Sequence, residues 1–313
     1  MQIISGITDF QLNNDSAVAI GKFDGVHLGH RILIEDIVGV SCKDPGLKSV
    51  VFTFNPSPES LFVGHALPEL TTTNEKRFIF DRMGVDVLIE FPMNQNTAAI
   101  TAEEFVTDYL VKRMRAGVIT AGVDLSFGYK GLGNADLLER LGKDNSYECH
   151  IIDKVTYKGE EISSTRIRNA LSDGDMETVS ALLGSPYRVS GVVAHGRKLG
   201  RTIGMPTANV IIPPDKMTGP KGVYYSKVYT AEGVYPAISN VGVKPTVIDD
   251  ELLCCESYIY GYDRDIYGQY IEVELMHFVR PERKFEGIEE LKDQMQHDIA
   301  GGMSYHHLLK KEE

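Results

Sequence analysis

Two histidines stand three residues apart in a glycine-bearing run, Gly-Lys-Phe-Asp-Gly-Val-His-Leu-Gly-His at 21–30. A β-branched stretch at 17–20 predicts a strand before this run, and the apolar spacing after it predicts a helix. The start of a helix offers free N–H groups and partial positive charge, and glycines let the backbone approach a phosphate closely. Imidazoles there would add hydrogen bonds and, when protonated, stabilise charge on a leaving pyrophosphate. The run therefore predicts adenylyl transfer.

The residue roles expected for this run follow from that chemistry. His27 and His30 are the expected catalytic residues. The expected ATP-binding residues are Gly21, Phe23, Asp24, Gly25 and Gly29. The alternative is that both histidines are ordinary surface or helix-capping residues, but the position after the first strand and a basic element downstream favour phosphate binding.

That basic element is Ile-Ser-Ser-Thr-Arg-Ile-Arg at 162–168, where three hydroxyls and two guanidiniums open a predicted helix. Hydroxyls, free amides and arginines at a helix start form an oxyanion-binding cluster. By itself, such a hydroxyl run is usually just an N-cap. Paired with the two histidines, it gives a further set of expected ATP-binding residues: Ser163, Ser164, Thr165, Arg166 and Arg168.

A second glycine-rich segment at 195–204 has three glycines at a spacing of four, with basic residues between them. Such a loop can wrap phosphates, and its expected ATP-binding residues are Gly196, Lys198, Gly200 and Gly204. The tetrad Pro-Thr-Ala-Asn at 206–209 follows and begins a predicted strand. Alternate strand residues share a face, so the Thr207 hydroxyl and the Asn209 amide oxygen are expected to bind Mg²⁺, with ATP as co-substrate.

The elements that must position the first set are strands and helices in alternation. From residue 16 to about residue 183, short β-branched runs alternate with helical patterns, which predicts a parallel sheet. The strand candidates are 17–20, 49–54, 85–90, 118–121 and 149–152. Thr101 and Glu104 form a capping box that predicts the start of a helix.

The pattern changes after residue 185. Before that point, helices are predicted at 164–171 and 175–183, with Gly174 and Gly184 as left-handed caps. Beyond them, apolar and polar residues alternate at 187–193, 223–229 and 271–278, which is typical of a small antiparallel β-barrel, and helical spacing at 287–299 predicts one closing helix. We therefore expect one domain at 1–184 and a second at 185–313.

Composition narrows the class of partner. The 313 residues are 42% hydrophobic, with a formal net charge of -12 and four cysteines. This length predicts two globular domains, and the acidic balance argues against a surface that grips nucleic acid. The sequence has no C-x-x-C spacing and no apolar run of about 20 residues. We expect a cytoplasmic protein, a monomer or weak homo-oligomer, with small-molecule partners and neither nucleic acid nor membrane.

The first half resembles the nucleotidyltransferase superfamily and, within it, the adenylyltransferase module of bacterial bifunctional riboflavin kinase/FAD synthetases. Besides the runs at 21–30 and 162–168, the shared motifs are Thr-Phe-Asn-Pro-Ser-Pro at 53–58 and Gly-Val-Asp-Leu-Ser-Phe-Gly at 122–128, in the family's order. The resemblance implies a Rossmann-like parallel sheet that makes FAD from FMN and ATP. It also adds Asp124 to the ATP-binding residues.

Three residues depart from that family's pattern. Asn55 and Ser57 stand where the family usually carries an acidic residue and a histidine, and Leu125 replaces a usual phenylalanine. The alternative function that these departures favour is a riboflavin kinase with a weakened or inactive adenylyltransferase domain.

The second half resembles the riboflavin kinase module of the same family. Pro-Thr-Ala-Asn at 206–209 is similar to its signature, and the segments 240–246 and 256–268 are similar to its later elements. The resemblance implies that this barrel phosphorylates riboflavin to FMN, with Glu256 as catalytic base. It also implies that Asn240, Arg280 and Arg283 bind the flavin; the alternatives are a solvent-facing glutamate and two solvated arginines.

Taken together, the resemblance implies a bifunctional transferase whose partners are riboflavin, FMN, FAD and ATP. A flavin-binding regulator without chemistry would carry a damaged P-T-A-N or H-x-G-H element, and both are whole. The H-x-G-H motif also occurs in transfer RNA ligases. Such an enzyme would need a module that binds the anticodon and a larger share of basic residues. The sequence favours the enzyme over both rivals.

Overall fold

The computed structural model describes residues 1–65, 67–194, 205–245 and 251–312. The chain forms two compact units, Met1–Ser164 and Thr165–Glu313. The domain boundary at 184/185 stays a prediction, and the helices before it are described below with the second unit, to which their contacts assign them.

The first unit is built on a parallel sheet, six-stranded within the described residues, in the order β1-β4-β3-β2-β5-β6. Its strands are β1 (Gln2–Ser5), β2 (Asp15–Ile20), β3 (Leu47–Asn55), β4 (Val87–Pro92), β5 (Ala116–Gly122) and β6 (Glu148–Ile152). The predicted Rossmann-like parallel sheet is confirmed. β1 lies at the edge of the sheet and is mostly exposed, which is why no apolar pattern predicts it.

Helices pack on the sheet and build an apolar core on each of its faces. They are α1 (Leu28–Lys43), α2 (Pro58–Val63), α3 (Thr73–Arg82), α4 (Ala102–Glu104), which continues as a π-helical stretch (Phe105–Arg113), and α5 (Ala135–Asn145). The predicted capping box is confirmed: Thr101 Oγ1 accepts the Glu104 N–H at 3.2 Å, and the Glu104 carboxylate accepts the Thr101 N–H at 2.9 Å. A small hairpin, β7 (Thr156–Tyr157) and β8 (Glu160–Glu161), follows the sheet.

The second unit is a closed antiparallel barrel, with six strands in the described part of the chain, in the order β10-β13-β12-β11-β14-β9. Its strands are β9 (Tyr187–Ala194), β10 (Ala208–Ile211), β11 (Gly222–Thr230), β12 (Gly233–Pro245), β13 (Glu251–Ile259) and β14 (Tyr270–Pro281). The predicted antiparallel barrel with a C-terminal helix is confirmed.

Three helices accompany the barrel: α6 (Ser164–Asp173), α7 (Met176–Leu183) and α8 (Ile288–Glu312). Gly174 and Gly184 have φ of +77° and +72°, as predicted for left-handed caps. The prediction of a closing helix at 287–299 was too short, because Gly301 and Gly302 interrupt the helical pattern. A Cβ on Gly301 would lie 2.5 Å from the Tyr225 hydroxyl, so the glycine serves close packing. Among the described helices, none is long and apolar enough to cross a membrane.

Inward-facing residues of the barrel include a row of three serines. Ser226, Ser239 and Ser257 lie on β11, β12 and β13 and are at most 1% exposed. The Ser239 hydroxyl is 2.7 Å from each of the other two hydroxyls. Because buried polar groups are costly unless they are hydrogen-bonded, Ser239 satisfies the hydroxyls on both sides of it.

Replacing Ser239 by alanine should therefore destabilise the barrel by about 1–3 kcal/mol, since two buried hydroxyls lose their common partner. The measurement is urea denaturation followed by circular dichroism without added ligands. Ser190→Ala is the matched control, because the Ser190 hydroxyl accepts its hydrogen bond from Tyr270 on the exposed side of the barrel. Equal stability of the two variants would contradict the role given to the row.

Candidate active sites

The run at 21–30 forms the turn between β2 and α1, as predicted. Phe23, Gly25 and Val26 all have positive φ, at +52°, +84° and +42°. A left-handed backbone costs energy at a residue that carries a Cβ, and it persists only where the surroundings impose it. Phe23 and Val26 are fully buried, so packing imposes this backbone.

Side chains and amides of the segment before α3 hold the middle of the turn. The Leu70 N–H donates to Asp24 Oδ1 at 2.7 Å. The Gly25 N–H donates to Thr71 Oγ1 at 3.1 Å. The Asp24 side chain is thus used to hold the loop, and Gly25 is fixed by its own amide.

His27 and His30 lie together at the start of α1. His27 is the N-cap residue, and its Nδ1 accepts the His30 N–H at 3.3 Å. The two rings are stacked, with centroids 3.6 Å apart and planes 16° apart. A Cβ on Gly29 would lie 3.2 Å from the His27 ring, so a glycine there leaves room for the stack. The capping alternative therefore describes His27 in part: it caps the helix and is fixed in place by doing so.

Burial makes both imidazoles neutral. It lowers the pKa of His27 to about 4, with Asp24 and Asp124 opposing the shift. Burial also lowers the pKa of His30 well below its ordinary value, and the charge of Lys76 lowers it further. The rings therefore offer N–H donors near neutral pH. The hypothesis that protonated rings stabilise pyrophosphate does not fit the structure, because the charged form would lose its hydration there.

The other residues expected at this site fall into two groups. Within the first unit, the Ser164 hydroxyl donates to the Asp24 carbonyl at 2.9 Å. Asp124 follows β5 and acts on His27 through its charge; the Lys154 ammonium lies 3.6 Å from it. Thr165, Arg166 and Arg168 belong to the second unit. Their role and that of Ser163 stay predictions.

In the barrel, the register aligns three polar residues in a row across adjacent strands. Asn209 of β10 is directly opposite Glu256 of β13, which is directly opposite Asn240 of β12. Residues opposite one another in an antiparallel pair project to the same face. The neighbouring Ser257 points into the barrel, so the row of amide, carboxylate and amide is on the outside.

A cavity of about 610 Å³ lies against that outer face and beneath α8. Its size is that of a small-molecule site, and both apolar and charged or polar side chains line it. The apolar lining is Val223, Ile238, Tyr258, Phe285, Leu291, Met295 and Ile299. The structure brings together at this cavity the predicted Thr207, Asn240, Glu256, Arg280 and Arg283.

The helical wall of this cavity is fixed by an ion pair. The Arg280 guanidinium on β14 donates to both Asp298 carboxylate oxygens, with the shortest distance 2.5 Å, and the Gln294 amide donates to the same carboxylate at 2.7 Å. Asp298 is 6% exposed. Arg283 is about half exposed, 3.4 Å from Glu290, and stacks over Phe285. Arg280 thus joins the barrel to α8, and Arg283 lies at the rim.

A second cavity, of about 400 Å³, adjoins the first at Thr207. It is lined by the loop after β13, which contributes Tyr262, Asp263 and Arg264. Thr207 lines both cavities and therefore marks where their contents would meet.

Thr207 and Asn209 offer the neutral oxygen donors that suit Mg²⁺. The Asn209 amide nitrogen donates to the Thr207 carbonyl at 3.1 Å, which orients the amide group. No group of three or more His, Cys, Asp or Glu that could hold a metal occurs in residues 1–65, 67–194, 205–245 and 251–312. The two oxygen donors fit an ion that takes its other ligands from phosphates and water. The predicted loop residues Gly196, Lys198, Gly200 and Gly204 lie outside the described residues.

Some site residues carry no sequence signal. Asp298 lies on the predicted closing helix, but its partner Arg280 is 18 residues away and only the fold pairs them. Lys76 acts on His30 from α3. The Thr72–Glu75 capping box that begins this helix is a sequence signal that could have predicted it. Helical spacing in the last segment does predict that Leu291 and Met295 face inward, and both line the larger cavity.

Comparison with known families assigns each unit. A family model described as FAD synthetase matches residues 9–166, and one described as riboflavin kinase matches residues 183–305. A bifunctional riboflavin kinase/FMN adenylyltransferase of Escherichia coli (strain K12) is 36% identical over 317 residues, covering 99% of each chain. This chain belongs to the bifunctional riboflavin kinase/FMN adenylyltransferase family.

Two further similarities extend over nearly the whole chain. The family member from Listeria monocytogenes is 35% identical over 293 residues, covering 93% of this chain and 92% of the relative. The crystal structure of a macrolide-efflux protein from Streptococcus pneumoniae matches with a TM-score of 0.82 and 33% identity, covering 95% of this chain and 97% of that one. The name of that protein describes efflux, whereas its backbone is similar to this family member.

The buried His27 predicts a pH dependence of stability. Its pKa is about 4 when folded and 6.5 ordinarily, so its contribution is fully present above pH 6.5 and is lost as pH falls through about 4. His27→Asn keeps an N-cap acceptor and removes this titration. Between pH 7 and 4.5, the free energy of unfolding should fall less in the variant than in the wild type. The two falls should differ by at most about 3 kcal/mol. Urea denaturation at both pH values measures this.

The exposed His297 supplies the control. His297→Asn should leave the fall in stability between pH 7 and 4.5 as large as in the wild type. If His27→Asn behaves like that control, His27 is not a buried neutral group.

Proposed function

We propose that this chain phosphorylates riboflavin to FMN in its barrel and adenylylates FMN to FAD in its parallel-sheet unit, using ATP for each reaction. The observation that carries the proposal is that each family model matches mainly one unit. In each unit, several of the predicted site residues lie close together within the matched range. The acidic balance, a formal net charge of -12, supports small-molecule partners rather than nucleic acid. We further propose that the enzyme acts in the cytoplasm.

For the kinase, riboflavin occupies the larger cavity and the nucleotide approaches from the smaller one. The cavities adjoin at Thr207, so the γ-phosphate and the ribityl hydroxyl meet beside Glu256. The Glu256 carboxylate accepts the proton of the primary hydroxyl, whose oxygen attacks the γ-phosphorus while ADP leaves. Asn240, in register with Glu256, orients the substrate next to the carboxylate.

Thr207 and Asn209 are the residues that would hold Mg²⁺. When bound there, Mg²⁺ would neutralise negative charge on the transferring phosphoryl group. Arg280 holds α8 over the flavin rather than acting on the phosphate, since its guanidinium is bound by Asp298.

For the adenylyltransferase, an oxygen of the FMN phosphate attacks the α-phosphorus of ATP, and pyrophosphate leaves. His27 and His30 donate N–H hydrogen bonds from neutral rings to the phosphate oxygens. The start of α1 adds its free amides and partial positive charge. The hydroxyls and arginines at 163–168 are proposed to bind the leaving group. Positioning and charge stabilisation suffice, so no covalent intermediate with the protein is needed.

The α8 wall gives a first prediction. Asp298→Asn removes the charge that binds Arg280, so α8 should be held less firmly and the dissociation constant for riboflavin should rise about 10-fold. Fluorescence quenching of riboflavin measures it. Glu290→Gln is the control, because Glu290 faces Arg283 on the exposed rim. Unchanged riboflavin affinity in the Asp298 variant would contradict the role of the ion pair.

The two activities separate in one experiment. Pure protein is incubated with MgATP and either riboflavin or FMN, and the flavins are resolved by chromatography. The wild type should form FMN and FAD from riboflavin, and FAD from FMN. His30→Ala should stop FAD formation and spare FMN formation, whereas Glu256→Gln should stop FMN formation and spare FAD formation from supplied FMN.

The alternative of a weakened adenylyltransferase has its own outcome in that assay. A wild type that makes FMN but no FAD would support it and overturn the second half of the proposal. Loss of both activities in both variants, with folding intact, would overturn the division of labour between the units.

A further inference from the structure

A buried lysine beside the adenylyltransferase motif is not used by the mechanism above. Lys76 on α3 is 5% exposed. Its ammonium lies 2.7 Å from a carboxylate oxygen of Glu69, which is also largely buried. Removing two charges from water is costly, and an apolar pair of similar size would fill the same space without that cost. The charge itself therefore calls for an explanation.

The fold places Lys76 on the side of α3 that faces the motif. Phe80 is one helical turn further along, and residues four apart share a helix face. The Phe80 ring packs edge-on against Phe23 at 5.7 Å, and the Phe23 ring lies 5.2 Å from that of His30. In agreement, the charge of Lys76 lowers the pKa of His30.

His30 presents an unusual atom toward the interior. Its Nδ1 is buried and has no hydrogen-bond partner among the described residues. In a neutral imidazole, one nitrogen carries the proton and the other a lone pair. Because Nδ1 has no partner among the described residues, it is unsatisfied in either tautomer, and the charge of Lys76 makes the difference: a proton on Nδ1 would be repelled by the ammonium. A lone pair on Nδ1 is instead stabilised by that positive charge.

His27 is restricted to the same tautomer by a different contact. Its Nδ1 accepts the His30 amide N–H, so it carries the lone pair and its proton is on Nε2. A matching proton on Nε2 of His30 would give the stacked rings two parallel donors for phosphate oxygens. The hydrogen bond from a backbone N–H thus fixes the tautomer of His27 but not that of His30.

We propose that Lys76 is a positioning residue for His30: its ammonium, held by Glu69, selects the tautomer with the proton on Nε2, the form that donates to phosphate. This inference rests on the proposed adenylyl transfer for its purpose. Its structural content, the tautomer of His30, stands independently of activity.

Glu69 makes the arrangement rigid. The residues that follow it, Leu70 and Thr71, hold Asp24 and Gly25 of the motif turn by hydrogen bonds. The lysine is thereby attached to the same segment that fixes the turn.

Nitrogen-15 NMR of histidine-labelled protein tests the tautomer without any substrate. His30→Gln assigns the resonances. In the wild type, Nδ1 of His30 should show the shift of an unprotonated nitrogen. In Lys76→Met and Lys76→Gln, a protonated Nδ1 fraction should appear, and the pKa of His30 should rise while staying below its ordinary value, because burial remains. Lys76→Arg should resemble the wild type.

Lys48→Met is the matched control. Lys48 pairs with Asp86 at 3.1 Å in the same unit, outside the motif. Its loss should leave the His30 resonances unchanged. Retained His27 resonances in each Lys76 variant show that the motif is folded; if Lys76→Met fails this check, Lys76→Gln carries the test.

Kinetics supply the second readout. In the neutral variants, kcat for FAD formation from FMN should fall by roughly 10-fold, the usual effect of losing a group that orients a catalytic histidine. The acid limb of the pH profile should move to higher pH. FMN formation from riboflavin in the same samples should be unchanged, since it occurs in the other unit.

Two results would overturn the inference: a protonated Nδ1 of His30 in the wild type, or neutral Lys76 variants whose His30 tautomer and pH profile match the wild type. A failure of the proposed function is different. There, the wild type would make no FAD, yet the NMR response of His30 to Lys76 would be as predicted.

Discussion

Burial of two imidazoles at the start of α1 is the constraint on which the first unit depends. A charged ring there would lose its hydration, so both are neutral, and a neutral ring has a single proton to donate. Which nitrogen carries that proton then decides whether the ring can bind phosphate at all. The contacts around the pair, from the His30 amide to Gly29, act on ring orientation and not on charge.

Neutral rings can donate directed hydrogen bonds to phosphate but carry no charge. The positive charge that stabilises the phosphates must then come from other groups. The start of α1 supplies part of it through its amides. Packing fixes the turn that leads into this helix, because Phe23 and Val26 are buried in a left-handed backbone that neither would adopt in isolation. A site of this kind is built before the nucleotide arrives, which lowers the cost of organising it during the reaction.

In the barrel, successive residues of a strand face opposite sides of the sheet. Along β12 and β13, one set of residues points inward and includes hydrogen-bonded serines, while the other set points outward and includes Glu256 and Asn240. A shift of one residue in the pairing would exchange the two sets and bury the carboxylate. The serine row and the row of Asn209, Glu256 and Asn240 are therefore specified by the same register.

Patterns in the sequence predict the two folds and the motif turn. Local patterns carry this information: alternation of apolar residues for the strands, the Thr101 capping box, and the spacing of His27 and His30. The polar row could be anticipated only in part, because the resemblance named Glu256 while the register that aligns it with Asn209 is a long-range property.

The neutral state of the histidines, the pairing of Arg280 with Asp298 and the position of Lys76 near the motif come from the folded chain. Each depends on contacts between segments far apart in the chain. Burial is a property of the assembled core, so the spacing of two histidines cannot reveal that they are neutral. The pairing of Lys76 with Glu69 is close in sequence, but its effect on His30 exists only because α3 packs against α1.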